Sequence, residues 1–141
     1  HMSTHIVEDC KIALKEWAVT CGALSQGRQI ILLRKGGILD EDGIFTLEHP
    51  HFWLTPTYIH QDTTLIKLQH HDLFEGWDEQ KREAENHAGR DALNMKFWAR
   101  AEKVWALQDY EIEKLYDAPH IWSRNYLDTR FNYKPDHPLL C

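Results

Sequence analysis

From Ile6 to Leu24 the apolar residues Ile6, Cys10, Ala13, Leu14, Trp17, Ala18, Cys21 and Leu24 fall at steps of three and four, the period of one helix face. Beyond Gly27 that period is lost. Arg28 to Leu33 becomes a short, uninterrupted run ending in Ile30-Ile31-Leu32-Leu33, as expected of a strand covered on both sides. A chain that changes period in this way is neither all-helical nor all-β. The pattern predicts an α+β domain: a small mixed β-sheet or partly open barrel, with a long N-terminal helix stopped at Gly27 and a short later helix.

The remaining segments fill in that architecture. Asp40-Glu41-Asp42-Gly43 reads as a turn, and Ile44 to His49 as a strand with Phe45, Leu47 and His49 on one face and Thr46 and Glu48 on the other. His51 to Leu54 is apolar and aromatic, and Pro56 should break that strand or confine it to an edge. Thr64 to Leu68 offers a further strand. Met95, Phe97, Ala99 and Ala101 alternate as a strand, although Phe97, Ala101, Val104 and Trp105 also fit a helix. Asp109 can cap a short helix with Ile112, Leu115 and Tyr116 inward, ended by Pro119. The chain of 141 residues, 43% hydrophobic and 27% charged, suits one globular domain. Residues 72 to 91, with few large apolar side chains, read as a polar acidic loop or insertion in it.

Charge narrows the partners. The formal net charge is −6, which disfavours a nonspecific duplex binder needing a basic face. The acidity is uneven: residues 72 to 91 carry seven acids against three bases, whereas residues 28 to 35 carry three bases and no acid. The ten histidines can add positive charge as pH falls, although His1 before Met2 reads as a cloning remnant. No apolar run approaches the roughly 20 residues that span a bilayer, so the expectation is a cytoplasmic protein without a membrane partner. Cys10, Cys21 and Cys141 have neither a CxxC spacing nor an even count, and read as reduced thiols.

Four constellations bear on chemistry. Arg34-Lys35-Gly36-Gly37 sets two cations beside a glycine pair at an expected strand end, where backbone N–H groups can cup a phosphate; a plain glycine turn explains the same residues. Glu48-His49-Pro50-His51 with His60 brings together ligand types that zinc prefers, making His49, His51 and His60 the metal candidates. Against a metal, alternation sends Glu48 and His49 to opposite faces. A metal-dependent phosphodiesterase needs paired carboxylates and a lysine near an attacking water. Here Glu16, Glu48 and Lys35 are the catalytic candidates, with an exposed, ion-paired Glu16 as the plainer alternative. No G-x-S-x-G elbow is present. Finally Trp53, Tyr58, Trp98, Trp105, Trp122 and Tyr126, several near Arg100, Arg124 and Arg130, suit either base stacking or an ordinary core.

Several of these blocks recur together in one family. Ala13-Leu14-Lys15-Glu16-Trp17, Leu32-Leu33-Arg34-Lys35-Gly36-Gly37-Ile38, Phe52-Trp53-Leu54-Thr55-Pro56-Thr57 with His60-Gln61, and His120-Ile121-Trp122 with Arg130 resemble, in order and approximate spacing, the bacterial family catalogued as domain of unknown function 1802. The resemblance covers nearly the whole chain. It implies a small bacterial cytoplasmic domain, common in cyanobacteria, and supplies no reaction and no catalytic residues. It also implies a further apolar strand after Leu139-Leu140-Cys141, so the chain is expected to be short of one strand. The sheet edge left open would then favour a homo-oligomer. The layout is similar to small β-barrel nucleic-acid-binding folds of the PUA kind and, more distantly, to restriction-endonuclease-like proteins; such likeness does not by itself carry function.

The leading expectation is a nucleic-acid-associated binding domain whose polar cleft gathers Arg34, Lys35, Glu48, His49, His60, His120, Trp122 and Arg130. Arg34 and Lys35 would take phosphate, while the histidines and Trp122 hold or stack a base. The alternatives are the metal-dependent phosphodiesterase, with a divalent cation as its only cofactor, and a protein-interaction or assembly domain.

Overall fold

In the computed structural model of the chain, residues 13–35, 51–58, 62–76, 78–79, 81–83 and 97–141 are described. The expected strand at 44–49 and much of the acidic insertion lie outside them. Strand β1 (Ala13–Trp17) leads directly into helix α1 (Ala18–Ser25), followed by β2 (Arg34–Lys35), β3 (His51–Thr57) and 3-10 turns at Thr63–Leu65 and Leu68–Phe74. Then come β4 (Phe97–Arg100), a 3-10 turn at Asp109–Glu111, helices α2 (Ile112–Leu115) and α3 (Arg124–Asn132), and β5 (Leu139–Leu140). Small open sheets with short helices make the fold α+β, as the change of period predicts; among the described residues no barrel is closed.

The long N-terminal helix is corrected to a strand followed by a helix of 8 residues. Over five residues the helix and strand periods cannot be told apart, because Leu14 and Trp17 satisfy one and Leu14 and Glu16 the other. Tertiary pairing decides: β1 runs parallel to β3, from Ala13 opposite Trp53 to Trp17 opposite Thr57. Alternation then puts Leu14 and Glu16 on one face and Lys15 and Trp17 on the other.

Helix α1 ends where Gly27 predicts. Gly27 sits at φ +73°, Arg28 N donates to Ala23 O at 2.9 Å and Gly27 N to Leu24 O at 3.1 Å. This is the Schellman closure, in which a left-handed residue lets the chain turn back and satisfy the last carbonyls.

Arg28 to Leu33 is also corrected, since no strand forms there. Instead the buried Gln29 side chain supplies the cross-links: its Nε2 donates to Ile31 O at 2.9 Å and its Oε1 accepts from Ile121 N at 3.0 Å. Ile30 is left 92% exposed while Leu33 is buried. Strand pairing begins only at Arg34 and Lys35, which lie antiparallel to Leu140 and Leu139.

In the three-stranded sheet β3 is central, and β4 pairs with it antiparallel from His51 opposite Arg100 to Leu54 opposite Phe97. Pro56 does not break β3. It lies beyond the last β4 pairing, so its missing N–H removes no bond on that side among the described residues. The segment 64–68 forms 3-10 turns rather than a strand, with a single bridge from Ile66 to Trp122. Gln108, not Asp109, caps the next turn, through a reciprocal box with Glu111; Ile112 is buried as expected.

Two apolar clusters hold the elements together. The larger joins Val19 and Ala23 of α1 to Leu33, Ile66, Ile121, Trp122, Leu127 and Leu139. The smaller has buried Cys21, Phe52 and Leu54, with Leu14, Leu32, Phe97 and Val104 partly buried around them. Full burial of a side chain such as Leu127 contributes about 1.5–3 kcal/mol.

Candidate functional site

The strand β1 turns Glu16 inward, to 8% exposure. Arg34, on β2, meets it there: Arg34 Nη1 donates to Glu16 Oε2 at 3.2 Å and to Lys15 O at 2.6 Å. The other carboxylate oxygen, Oε1, accepts from Trp17 N at 3.2 Å. Burial pushes the Glu16 carboxyl above the usual carboxylate range, and the opposing pull comes first from Arg34 and more weakly from Arg130. Both oxygens are engaged, so Glu16 is a paired, inward carboxylate rather than an exposed one.

Two further cations close on the same corner. Lys35 Nζ donates to Phe131 O at 2.5 Å and lies 5.3 Å from the centre of the Phe131 ring. Burial, and then the like charge of Arg130, lowers the Lys35 ammonium below the usual lysine value. Arg130 comes from α3, one turn after Tyr126, so the two share a helix face. Its guanidinium lies 5.8 Å from the Tyr133 ring, and its Nε is buried without a hydrogen-bond partner among the described residues. Arg34 and Arg130 thus act on one carboxylate and Arg130 in turn acts on Lys35, a cluster of cations in a chain whose average is acidic.

Aromatic packing supports the corner from behind. Tyr126 lies edge-on to Trp17 at 5.3 Å and stacks on Trp122 at 5.4 Å. Burial, followed by the charge of Glu16, pushes the Tyr126 phenol up to about 12. His120 extends the row at 5.4 Å from Trp122. Its Nδ1 accepts from Trp122 N at 3.1 Å and its Nε2 faces Leu115 O, an arrangement that needs a neutral ring with the proton on Nε2. Burial lowers its pKa. His120 and Trp122 are 0% and 1% exposed, so both serve as packing and neither ring presents a face to a ligand.

Of the sequence-derived candidates, the structure brings together Glu16, Arg34, Lys35 and Arg130. Glu48, His49 and His60 lie outside the described residues. His51 is on β3 and stacks on Trp98 at 5.4 Å, away from the Glu16 corner. Among the described residues no group of three or more His, Cys, Asp or Glu side chains is placed to hold a metal, and no helix is long and apolar enough to cross a membrane. Phe131 and Tyr133 were not singled out by sequence reasoning. The signal was the aromatic-basic alternation Arg130-Phe131-Asn132-Tyr133-Lys134, legible only once α3 is known to end there.

Neither a curated protein nor a solved structure matches the chain. The family model described as Domain of unknown function (DUF1802) matches residues 13–141, taking in β1, β2, β3 and α3 and every described residue of the corner. On that coverage the chain belongs to the DUF1802 family.

Proposed function

We propose that the protein is a nucleic-acid-associated binding domain that takes the phosphate backbone of a single strand at the Glu16 corner. The observation that carries this reading is a cation cluster at the buried Glu16: Arg34 is bonded to the carboxylate, Arg130 acts on its charge, and Lys35 lies within reach of the Arg130 charge. One cation neutralises the carboxylate, and the other two leave the corner with excess positive charge. Arg34 is tied down by two bonds, whereas the Arg130 Nε has no acceptor among the described residues. Tyr133 is 51% exposed beside Arg130 and Lys134, and an exposed ring next to cations supports a reading of base stacking with phosphate contact.

The test is a fluorescence-anisotropy titration of labelled single-stranded and duplex oligonucleotides at low salt. Single strands are expected to bind more tightly, with log K falling against log salt at a slope of about −2 for roughly three phosphates. A Lys35→Gln/Arg130→Gln protein should bind about tenfold less tightly with a shallower slope. Absence of binding, or binding unchanged in that variant, would overturn the reading. Magnesium-dependent cleavage of the bound strand would instead establish the phosphodiesterase alternative.

A further inference from the structure

A second site lies on the apolar face of the three-stranded sheet. A cavity of about 680 Å³ opens between that face and the extended segment after α1, within the 300–1,000 Å³ typical of small-molecule pockets. Its deep wall is apolar: Phe52, Leu54 and Leu140 are 4%, 2% and 2% exposed. Leu14, Leu24, Leu32 and Val104 pack only partly against the smaller core cluster and also line this space. The lining continues outward to Ile30 and Trp105, two of the large apolar side chains that the fold leaves exposed.

The rim carries two cations and one acid. Arg100, Glu102 and Lys103 lie along it. Glu102 is 3.7 Å from Arg100, and Lys103, set 5.4 Å from the Trp105 ring, has no carboxylate partner among the described residues. Arg34 also reaches the wall, but its charge is committed to Glu16. An apolar interior with a cation at its mouth matches a molecule with a hydrocarbon body and an anionic head.

We propose that this cavity binds a medium-chain carboxylate amphiphile, with its hydrocarbon chain against Phe52, Leu54 and Leu140 and its carboxylate at Lys103 beside the Trp105 ring. The cavity adjoins the phosphate-binding corner only through Arg34, and the proposal does not rest on that corner. Occupancy would cover Ile30 and Trp105 and give Lys103 a counter-ion.

Calorimetry of the full chain with dodecanoate and with dodecanol tests this. Dodecanoate is expected to bind saturably at one site with a negative heat-capacity change, the mark of buried apolar surface. Ala101→Trp should fill the mouth and weaken dodecanoate about tenfold or more, a loss of about 1.4 kcal/mol. Lys103→Gln should weaken dodecanoate about threefold, as loss of an exposed ion pair does, and leave dodecanol unchanged. If Ala101→Trp does not fold, methyl chemical shifts of the wild-type protein decide: Leu14, Leu24 and Val104 should move with dodecanoate, and Val19 and Leu127 should not. No saturable heat, undiminished binding in a folded Ala101→Trp protein, or equal affinity for dodecanol and dodecanoate would overturn the proposal.

Discussion

Arg34 grips β1 at two successive residues, donating from one nitrogen to the Lys15 carbonyl and to the Glu16 carboxylate. The pair is asymmetric, because the Glu16 side chain is 8% exposed and that of Arg34 26%. Removing the partner of a buried charge costs far more than removing both charges together. Arg34→Ala should therefore destabilise the fold by about 2 kcal/mol, discounted for the solvent that reaches Arg34. Glu16→Gln, which keeps an acceptor for Trp17 N, should cost less than about 1 kcal/mol. Urea unfolding of both single variants and the double variant checks this. The double variant should be more stable than the sum of the two losses predicts, and simple additivity would contradict the pairing.

His120 makes the fold sensitive to acid. Its folded pKa is lowered by burial, so the unfolded chain takes up the proton more readily. Stability from this group is present above the ordinary histidine value of about 6.5 and is lost as pH falls below it. Burial acts in the other direction on Glu16, whose raised pKa gives stability present at low pH and lost as pH rises through its folded value. Urea midpoints measured downward from neutrality should fall first. In His120→Gln that fall should be shallower, after a general loss of about 1–3 kcal/mol from the buried site.

Tyr126 should report the corner spectroscopically. With its phenol pushed up to about 12 by burial and by Glu16, it should remain neutral well above the ordinary tyrosine value of about 10. Its stabilising contribution is present below that value and lost as pH rises toward the folded one. An ultraviolet phenolate titration should show a late-ionising tyrosine that is missing in Tyr126→Phe. A wild-type curve with every tyrosine ionising together would refute the buried placement.

The two glycines of the α1 region should respond oppositely to alanine. At Gly27 a Cβ would meet nothing within 4 Å, but φ is +73°, so Gly27→Ala should cost about 1 kcal/mol through the backbone alone. At Gly22 a Cβ would sit 3.6 Å from Leu73 Cδ2, an ordinary contact. There Gly22→Ala should stabilise by about 0.5–1 kcal/mol, as helix propensity dictates. Thermal unfolding of the two variants measures both signs.

These contrasts follow how the sequence encodes the fold. The stop at Gly27, strand β4 and the burial of Ile112 are local signals, set by backbone permissiveness and by side-chain alternation, and all are visible in the residues themselves. Strand β1 is not, because only its parallel partner β3 resolves a window that fits both periods. Helix α3 is hidden by its own polarity: in Arg124–Asn132 only Tyr126 and Leu127 are buried, and the initiating signal is Ser123, whose hydroxyl accepts from Tyr126 N. The cations Arg34 and Lys35 stand out as an exception to an acidic chain, but their meeting with Glu16 and Arg130 is a long-range event. Glu16 lies inward because of strand alternation, which only the pairing of β1 with β3 establishes.

The two-residue ladder between β2 and β5 pairs Arg34 with Leu140 and Lys35 with Leu139, joining segments about a hundred residues apart, and such distant pairings close late in folding. With so few bonds, it is also among the features most readily lost by local opening. The two cations would then be released together, since one ladder orients both. Protection from hydrogen exchange at this clasp and anion affinity at the corner should accordingly rise and fall as a single cooperative unit, so that a ligand held by Lys35 slows exchange at Leu139 and Leu140 without touching either.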